Sequence, residues 1–452
     1  MTRSAHVRLV PDARRVITKP FVPREESLFD GSPRARVTVR RIIEMPATDV
    51  EQTLLTVRSS FGDRHRDLDA SLDRSFGVVA DHLDGELGRR SLSTEQRRLI
   101  GAYFTHEYAI EAAALCNPSI VAAPDQSGLP AGEARFLMSL RAIGDGHVSS
   151  IEFRSGVISA DSTVRLDAPT GYAEAGTRTS HDGDTSLYRV SFPSSLDISE
   201  RVLFPSSPAE SHGMEDARFV RFMNDDGAVT YFATYTAFDG HQVLPLLLET
   251  ADFADFRVTT LAGRAARNKG MAIFPRRIEG RYVALGRFDN TNNFILTSDD
   301  VRIWQDATVV QEPKRPWELM QIGNCGSPIE TDEGWLVITH GVGPMRRYNL
   351  GALLLDLDEP TRVIGHLEDP LLSPEADERE GYVPNVVYSC GSMVHGDHLV
   401  LPYGYADIGT GLATIALADL LGRLIDGPPP GGSATGSAAS SRSGPASTRH
   451  PD

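Results

Sequence analysis

Two hydrophobic textures divide this chain. From about residue 48 to 115, apolar residues recur every three or four positions, the period of a single buried helix face. Thr48 and Asp49 can cap a helix that begins Val50-Glu51-Gln52, and Leu54, Leu55 and Val57 start its apolar side. A second helix is predicted over 68–87, with Leu72, Phe76, Val79 and Leu83 on one face. A third is predicted over 93–115, opened by Ser93-Thr94-Glu95. These form a helical extension over 48–115, preceded by an arm over 1–47. Its apolar faces call for a cover, either the main domain or a partner subunit, so a homo-oligomer is expected.

After Asn117 the pattern changes to short alternating runs broken by turn residues, the signature of antiparallel strands. Residues 217–222 turn at Asn224-Asp225-Asp226-Gly227 into 229–235, and 271–275 turn at Glu279-Gly280 into 282–285. Residues 327–330 turn at Asp332-Glu333-Gly334 into 335–339, and 391–394 turn at Gly396-Asp397 into 399–403. Phe136 to Leu140 supplies an inner strand of a further unit. The second strands centre near Tyr231, Tyr282, Trp335 and Leu399, roughly 50 to 65 residues apart, which fits propeller blades carrying loop insertions. The count gives an all-β domain over 116–425, a five-bladed β-propeller, with a β-sandwich as the alternative. The segment 426–452, rich in Gly, Pro, Ser and Ala, is predicted to be a disordered tail.

Composition narrows the setting. Hydrophobic residues make up 40% of the 452, enough for a large core, and no apolar run reaches the length of a membrane span. Residues 1–19 carry Arg and Lys without a continuous apolar stretch, so no secretion signal is read and a cytoplasmic protein is expected. Cys116, Cys325 and Cys390 are odd in number and far apart, which points to free thiols and gives no zinc motif. A formal charge of −16 argues against a nucleic-acid binder, which needs a basic face for phosphates. A small basic pocket remains compatible with it, because local fields govern a pocket. Neither a metal nor an organic cofactor is expected.

Five segments place polar residues at the ends of β-like runs: Gly213 to Arg218, Asn117-Pro118-Ser119, Ser139 to Ala142, Gly326 to Glu330, and Tyr403 to Asp407. In a propeller such ends converge on one channel. Asn117, Arg141, Asp216, Arg218, Lys269, Arg287, Asp289, Glu330, His340 and Asp407 all sit at them. Carboxylates and Asn suit paired sugar hydroxyls, and the cations suit a carboxylate or another anion. Glycosidic cleavage with inversion needs a general acid. It also needs a carboxylate to activate water in a hydrolase, or a bound phosphate in a phosphorylase.

Several motifs in order make the chain resemble glycoside hydrolase family 130, the β-mannoside phosphorylases and β-mannosidases, over about 115–412. They are Asn117-Pro118-Ser119, Leu140-Arg141-Ala142, Glu215-Asp216-Ala217-Arg218, Phe274 to Tyr282, Gly334-Trp335-Leu336, Gly351 to Asp358, Val383 to Val387, and Tyr403 to Asp407. The resemblance implies a five-bladed propeller and makes Asp216 the general acid, its proton passing through a hydroxyl of the bound mannose. It implies that Asn117, Arg141 and Asp407 bind sugar at the cleaved subsite, with Glu215 and Arg218 in the same set. It also implies that Glu380, before Gly381-Tyr382-Val383-Pro384, can line that site. Lys269, Arg287 and His340 match phosphate-holding positions, with phosphate as co-substrate. Glu330 stands where 1,4-linked mannoside phosphorylases tend to carry lysine, so it is a candidate base for a hydrolase.

The reading that follows is a phosphorylase releasing α-mannose 1-phosphate from a β-linked manno-oligosaccharide. The alternatives are an inverting β-1,2-mannosidase and a non-catalytic sugar-binding propeller. Other polar groups carry plainer readings. His106, Glu107 and Glu111 read as a solvated helix face, residues 377–380 as a charged loop, and Trp335 and Phe274 as blade core. Gly144-Asp145-Gly146-His147 reads as a turn from which His147 can reach the pocket.

Overall fold

A computed structural model of the chain describes residues 1–23, 34–83, 91–181 and 184–426. The predicted tail beyond 426 and residues 84–87 of the second predicted helix lie outside them.

Four helices form the N-terminal extension: Arg34–Ile43, Ala47–Phe61, Leu68–His82 and Thr94–Tyr103. The second starts directly after Pro46, so Thr48 and Asp49 occupy its first turn and do not cap it. Asp67 caps the third helix through the amide of Ala70, and Ser93 with Gln96 forms a reciprocal capping box on the fourth. The apolar faces close on each other. Val39, Ile42, Val50, Leu54, Leu72, Val79, Leu99 and Ile100 share one core, while Leu55, Phe61, Val78 and Tyr103 stay exposed.

The third predicted helix is too long. It stops at Tyr103, and Thr105–Ala109 is a strand paired with Val16–Pro20. Thr, Tyr and His suit an extended backbone, and cross-strand pairing overrides the weak helical period there. Glu111 is also not on a solvated face: it is 1% exposed and bound to the buried Arg15 and Arg154. The arm expected over 1–47 divides between structures. Thr2–Leu9 pairs with Gly409–Ala416 near the other end of the described chain, while Val16–Pro20 ties the helices to the strands.

The rest of the described chain is mostly strand, in which five successive antiparallel runs, or units, can be followed, the first two joined in one twelve-stranded sheet through a parallel contact of Gly213 with Ser149. The first runs Ala114–Ala122, Ala134–Ile143, Ser149–Ile158 and Val164–Leu166. The second runs Gly213–Met223, Val229–Phe238, Val243–Thr250 and Asp255–Thr260, with Asp184–Ser191 and Thr177–His181 added at its edge. The third runs Ala272–Ile273, Tyr282–Gly286, Asn293–Ser298 and Asp306–Gln311. In the fourth, Gln321–Asn324 and Ile329–Thr331 share one partner, Gly334–Val342, followed by Tyr348–Leu355 and Val363–His366. In the fifth, Val387–Tyr388 and Met393–His395 share His398–Tyr405, followed by Gly409–Ala416 and finally Thr2–Leu9. The four predicted hairpins fall in the second to fifth units. Phe136 to Leu140 belongs to the second strand of the first unit, whose first strand is Ala114–Ala122.

Five apolar cores each join two neighbouring units. One links Leu137 and Phe153 to Phe219 and Tyr231, the next Phe222 and Phe232 to Ile273 and Leu296, and the next Phe274 and Leu285 to Trp335 and Leu353. A fourth links Leu336 and Leu350 to Val387 and Leu401, and also takes in Leu420 and Leu424 of a C-terminal helix, Leu417–Ile425, absent from the sequence expectation. The fifth links Val400 and Leu412 of the last unit, and Val7, to Ile120 and Phe136 of the first. Trp335 and Phe274 are core residues, as expected.

One irregularity recurs. The first strand of a unit is kinked or broken a few residues from its start, between Cys116 and Ser119, between Glu215 and Arg218, between Asn324 and Ile329, and between Tyr388 and Met393. Asn117 (φ 51°) and Asp216 (φ 57°) sit in these kinks with left-handed backbones. A bulge turns a side chain out of the alternating pattern and re-aims it. The residues at the start of each first strand, with those at the end of its partner, therefore face the same end of the assembly.

Candidate active site

The kinks deliver the site. Asn117 donates from Nδ2 to Asp216 Oδ1, joining the first and second units. Arg141, near the end of the second strand of the first unit, donates from Nη2 to Glu215 Oε1 at 2.7 Å, and its Nη1 lies 3.9 Å from Asp216 Oδ1. Lys269, just before the third unit, donates to the other oxygen of Glu215. Glu215 thus holds two cations beside Asp216.

A second group lies next to the first. Arg218 is 2% exposed and donates to the Asn324 carbonyl at 2.9 Å and the Tyr388 hydroxyl at 2.6 Å. Arg287 and His340 flank Gly323: a Cβ there would lie 2.4 Å from the imidazole and 2.6 Å from Arg287 Cδ. Gly270, with φ of 89°, would place a Cβ 3.1 Å from Arg287 Cδ and 3.6 Å from Arg218 Nη2. Small residues therefore let two arginines and a histidine crowd one point. Asp289 caps the turn after Arg287 through the amides of Thr291 and Asn292 and stays out of the cluster.

Electrostatics separates the titrating groups. Burial acts to raise the pKa of Asp216, but Arg141, Lys269, Arg218 and the Asn117 amide outweigh it and hold the carboxyl below its usual range. Asp407 is pushed up to about 6, by burial first and then by the charges of Asp216 and Glu215, against the pull of Arg141. His340 is driven well below the usual histidine range by burial, then by Arg287 and Arg218. It is therefore a neutral imidazole, not the cation its position suggested, and acts as a hydrogen-bonding group.

Several buried polar atoms here have no protein partner: Asn117 Oδ1 and Nε of Arg141, Arg218 and Arg287, together with His340 Nε2. Unpartnered Nε atoms recur elsewhere, at Arg135, Arg154 and Arg201, but here they gather with Asn117 Oδ1 and His340 Nε2, leaving several polar atoms open to a ligand at one place. The His340 ring stands 4.8 Å from that of Tyr388, and its Nδ1 is 3.7 Å from Cys325 Sγ.

Of the residues singled out in the sequence, Asn117, Arg141, Glu215, Asp216, Arg218, Lys269, Arg287, His340 and Asp407 come together. Glu380 is exposed, in a loop whose Val383 amide donates to Ala406, the neighbour of Asp407. Glu330 does not belong to the site. It lies beyond the break in the fourth unit, paired with Trp335, and forms a half-exposed bidentate ion pair with Arg276. Arg276 itself bridges to Met223, the last residue of the strand that carries Asp216 near its start. The kink sends the two halves of the first strand to different ends, and Glu330 is on the wrong half.

Asn324 and Tyr388 were missed. Both are the last paired residues before the break in their units, the position of Cys116 and Glu215 in the first two. A signal existed: Cys116-Asn117-Pro118-Ser119, Asn324-Cys325-Gly326-Ser327-Pro328 and Tyr388-Ser389-Cys390-Gly391-Ser392 each set a cysteine beside a polar kink residue. The three cysteines are free and buried, and all border this site.

Comparison with known proteins agrees with this geometry. A family model described as beta-1,4-mannooligosaccharide phosphorylase matches residues 184–424. A 1,2-beta-oligomannan phosphorylase of Thermoanaerobacter sp. (strain X514) is 34% identical over 230 residues, covering 49% of this chain and 75% of that protein. A beta-1,2-mannobiose phosphorylase of Listeria innocua is 32% identical over 229 residues, covering 49% of this chain and 63% of that protein. The solved structure of a Listeria innocua beta-1,2-mannobiose phosphorylase with beta-1,2-mannobiose superposes with a TM-score of 0.51 at 22% identity, over 70% of this chain and 93% of that one, a likeness of fold. With the model matching more than half of the 452 residues, this chain belongs to glycoside hydrolase family 130 and is a glycoside-cleaving enzyme, a phosphorylase or a hydrolase.

Proposed function

We propose that the protein is an inverting β-mannoside phosphorylase, acting on β-1,2-linked manno-oligosaccharides and releasing α-mannose 1-phosphate. The observation that carries this reading is the convergence of Arg218, Arg287, His340 and Lys269, with unpartnered buried nitrogens, beside Asp216. A hydrolase would need a carboxylate base in that place, and Glu330, the candidate for it, is elsewhere. The β-1,2 linkage is supported by the names of the two curated relatives above. The five units, with cores joining each to the next and the last to the first, are best accommodated as blades of a five-bladed propeller whose channel mouth is this site.

In this reading Asn117, Arg141 and Asp407 hold the hydroxyls of the mannose to be transferred. Phosphate rests on Arg218, Arg287 and Lys269, with the neutral His340 as a further hydrogen-bonding partner, and attacks the anomeric carbon from the face opposite the leaving oxygen. Asp216 supplies the proton to that oxygen. Two of the cations that hold Asp216 ionised, Lys269 and Arg218, are among those that phosphate neutralises, so phosphate binding raises its proton affinity and favours the acid form when the nucleophile is in place.

The test is incubation of the protein with β-1,2-mannobiose, with and without phosphate. Strictly phosphate-dependent appearance of mannose 1-phosphate is expected. Two free mannoses from each mannobiose, with no mannose 1-phosphate and at a rate indifferent to phosphate, would replace the reading with hydrolysis.

A further inference from the structure

One buried amide ties together two of the cations in the site. Asn324 is fully buried at the end of Gln321–Asn324, and both halves of its side chain are used. Its Oδ1 accepts from Arg218 Nη1 at 2.5 Å and from the Gly326 amide at 3.3 Å, while its Nδ2 donates to the Gly270 carbonyl at 2.7 Å. These partners fix which way the amide points, because a guanidinium only donates and a carbonyl only accepts. A single side chain of the fourth unit thus joins Arg218 of the second unit to the residue that follows Lys269.

For Arg218 the consequence is direction. Asn324 takes Nη1 through Oδ1 and again through its own carbonyl at 2.9 Å, and the Tyr388 hydroxyl takes an N–H of Nη2. Of the five N–H groups of the guanidinium, the donors left for a ligand are Nε–H, which has no protein partner, and the second N–H of Nη2. For Lys269 the consequence is placement. Asn268 and Gly270 on either side of it have left-handed φ of 63° and 89°, so the chain turns sharply around the lysine. Asn268 Nδ2 donates to the Phe288 carbonyl at 2.7 Å, next to Arg287, and Asn324 holds the other side through Gly270. The Lys269 side chain is 40% exposed on a flexible four-carbon stem, so its aim depends on how firmly this backbone is held.

We propose that Asn324 is a positioning residue for the phosphate half of the site, its amide fixing the open donors of Arg218 and the loop of Lys269 together so that both cations meet one anion. This rests on the phosphorylase reading, in which those two cations carry phosphate. The links of Asn324 bypass the groups assigned to mannose: Asn117 and Arg141 bond to Asp216 and Glu215 instead. Loss of the amide therefore acts on phosphate and spares the sugar.

The test is steady-state kinetics of the native, Asn324→Ala and Asn324→Ser proteins with β-1,2-mannobiose and inorganic phosphate, and a thermal melt of each. Asn324→Ala should raise the KM for phosphate about tenfold or more, the size of a lost hydrogen bond to a charged group, and keep the KM for mannobiose within about twofold. Asn324→Ser, whose shorter hydroxyl can serve only one of the two partners, should fall between, and it decides the matter where the alanine variant does not fold. The second readout is pH. Arg218 and Lys269 lower the pKa of Asp216, so loosening them raises it, and the basic limb at limiting phosphate should move to higher pH in Asn324→Ala. A residue that only fills the core would lower the melting temperature and move neither quantity. Equal rises in the two KM values, or an unmoved phosphate KM in a folded variant, would overturn the positioning role, and phosphate-dependent turnover by the native protein would leave the phosphorylase reading standing. Native turnover indifferent to phosphate would overturn both.

Discussion

Replacing Glu330 by Gln separates the two ways this family can cleave a mannoside. Asp216 and Met223 lie seven residues apart on one strand, Gly213–Met223, so at about 3.3 Å per residue they are roughly 20 Å apart. The Met223 amide donates to the Pro275 carbonyl at 2.8 Å, beside Arg276, and Arg276 holds Glu330. Glu330 is therefore a strand length from the acid. A unit charge roughly 20 Å away in water acts with about 0.2 kcal/mol, and salt screens it further because the Debye length is about 8 Å. The side chains of Glu330 and Arg276 are 43% and 39% exposed, which places their ion pair in the range of about 0–1 kcal/mol of stability. Glu330→Gln should leave kcat/KM for phosphorolysis within about twofold and lower the melting temperature slightly. The assay is steady-state formation of mannose 1-phosphate from β-1,2-mannobiose, with a thermal melt on the same sample. A fall of about a hundredfold or more at an unchanged melting temperature is the scale of a lost general base. That result would return Glu330 to the chemistry and refute the placement argued from the strand kink.

Asp216→Asn should lower kcat by about a hundredfold to ten-thousandfold while sugar binding persists, measured by single-turnover kinetics and calorimetry; near-native kcat in the folded variant would remove Asp216 from the mechanism. Because Arg141, Lys269 and Arg218 hold Asp216 ionised and phosphate offsets two of them, Lys269 and Arg218, the basic limb of the pH–rate profile should move to higher pH as phosphate goes from limiting to saturating. A limb that stays put would refute charge compensation. The acidic limb should fall near pH 6, where Asp407 gains a proton and stops accepting hydrogen bonds from sugar hydroxyls; activity is lost as pH falls through that value, and Asp407→Asn should abolish the limb along with most of the activity. Gly323→Ala pushes a methyl to within 2.6 Å of both His340 and Arg287, and should raise the KM for phosphate about tenfold or more while changing that for sugar little. Equal changes in the two constants would mean a general collapse of the site.

The repeated hairpins were readable because their turns are spelled out locally, as in Asn224 to Gly227 and Asp332 to Gly334, and alternation between them marks a half-buried sheet. Thr2–Leu9 had no such signal: its partner lies some four hundred residues away, and a pairing of that kind is fixed by assembled geometry and not by neighbours in the chain. The helix expected to reach residue 115 failed for a related cause, since Thr105–Ala109 has weak preferences and Val16–Pro20 decides its state. Within the cluster, Arg141 and His340 lie near the ends of second strands, as read from the sequence, because a strand end is visible as the start of a turn. Residues on a first strand were harder. A kink between Asn324 and Ile329 leaves the sequence looking like one polar run, Gly326-Ser327-Pro328-Ile329-Glu330, while it divides the strand into a half that faces the ligand and a half that does not. The polar residue that joins the cluster, Asn324, lies two positions before the glycine, outside that run. Motif resemblance assigned roles by position in a pattern, and backbone direction then decided which roles could be filled. Glu330 satisfies the pattern and fails the direction. With it the candidate base named from the sequence leaves the cluster, while Lys269, Arg218 and Arg287, the cations of the proposed reading, stay.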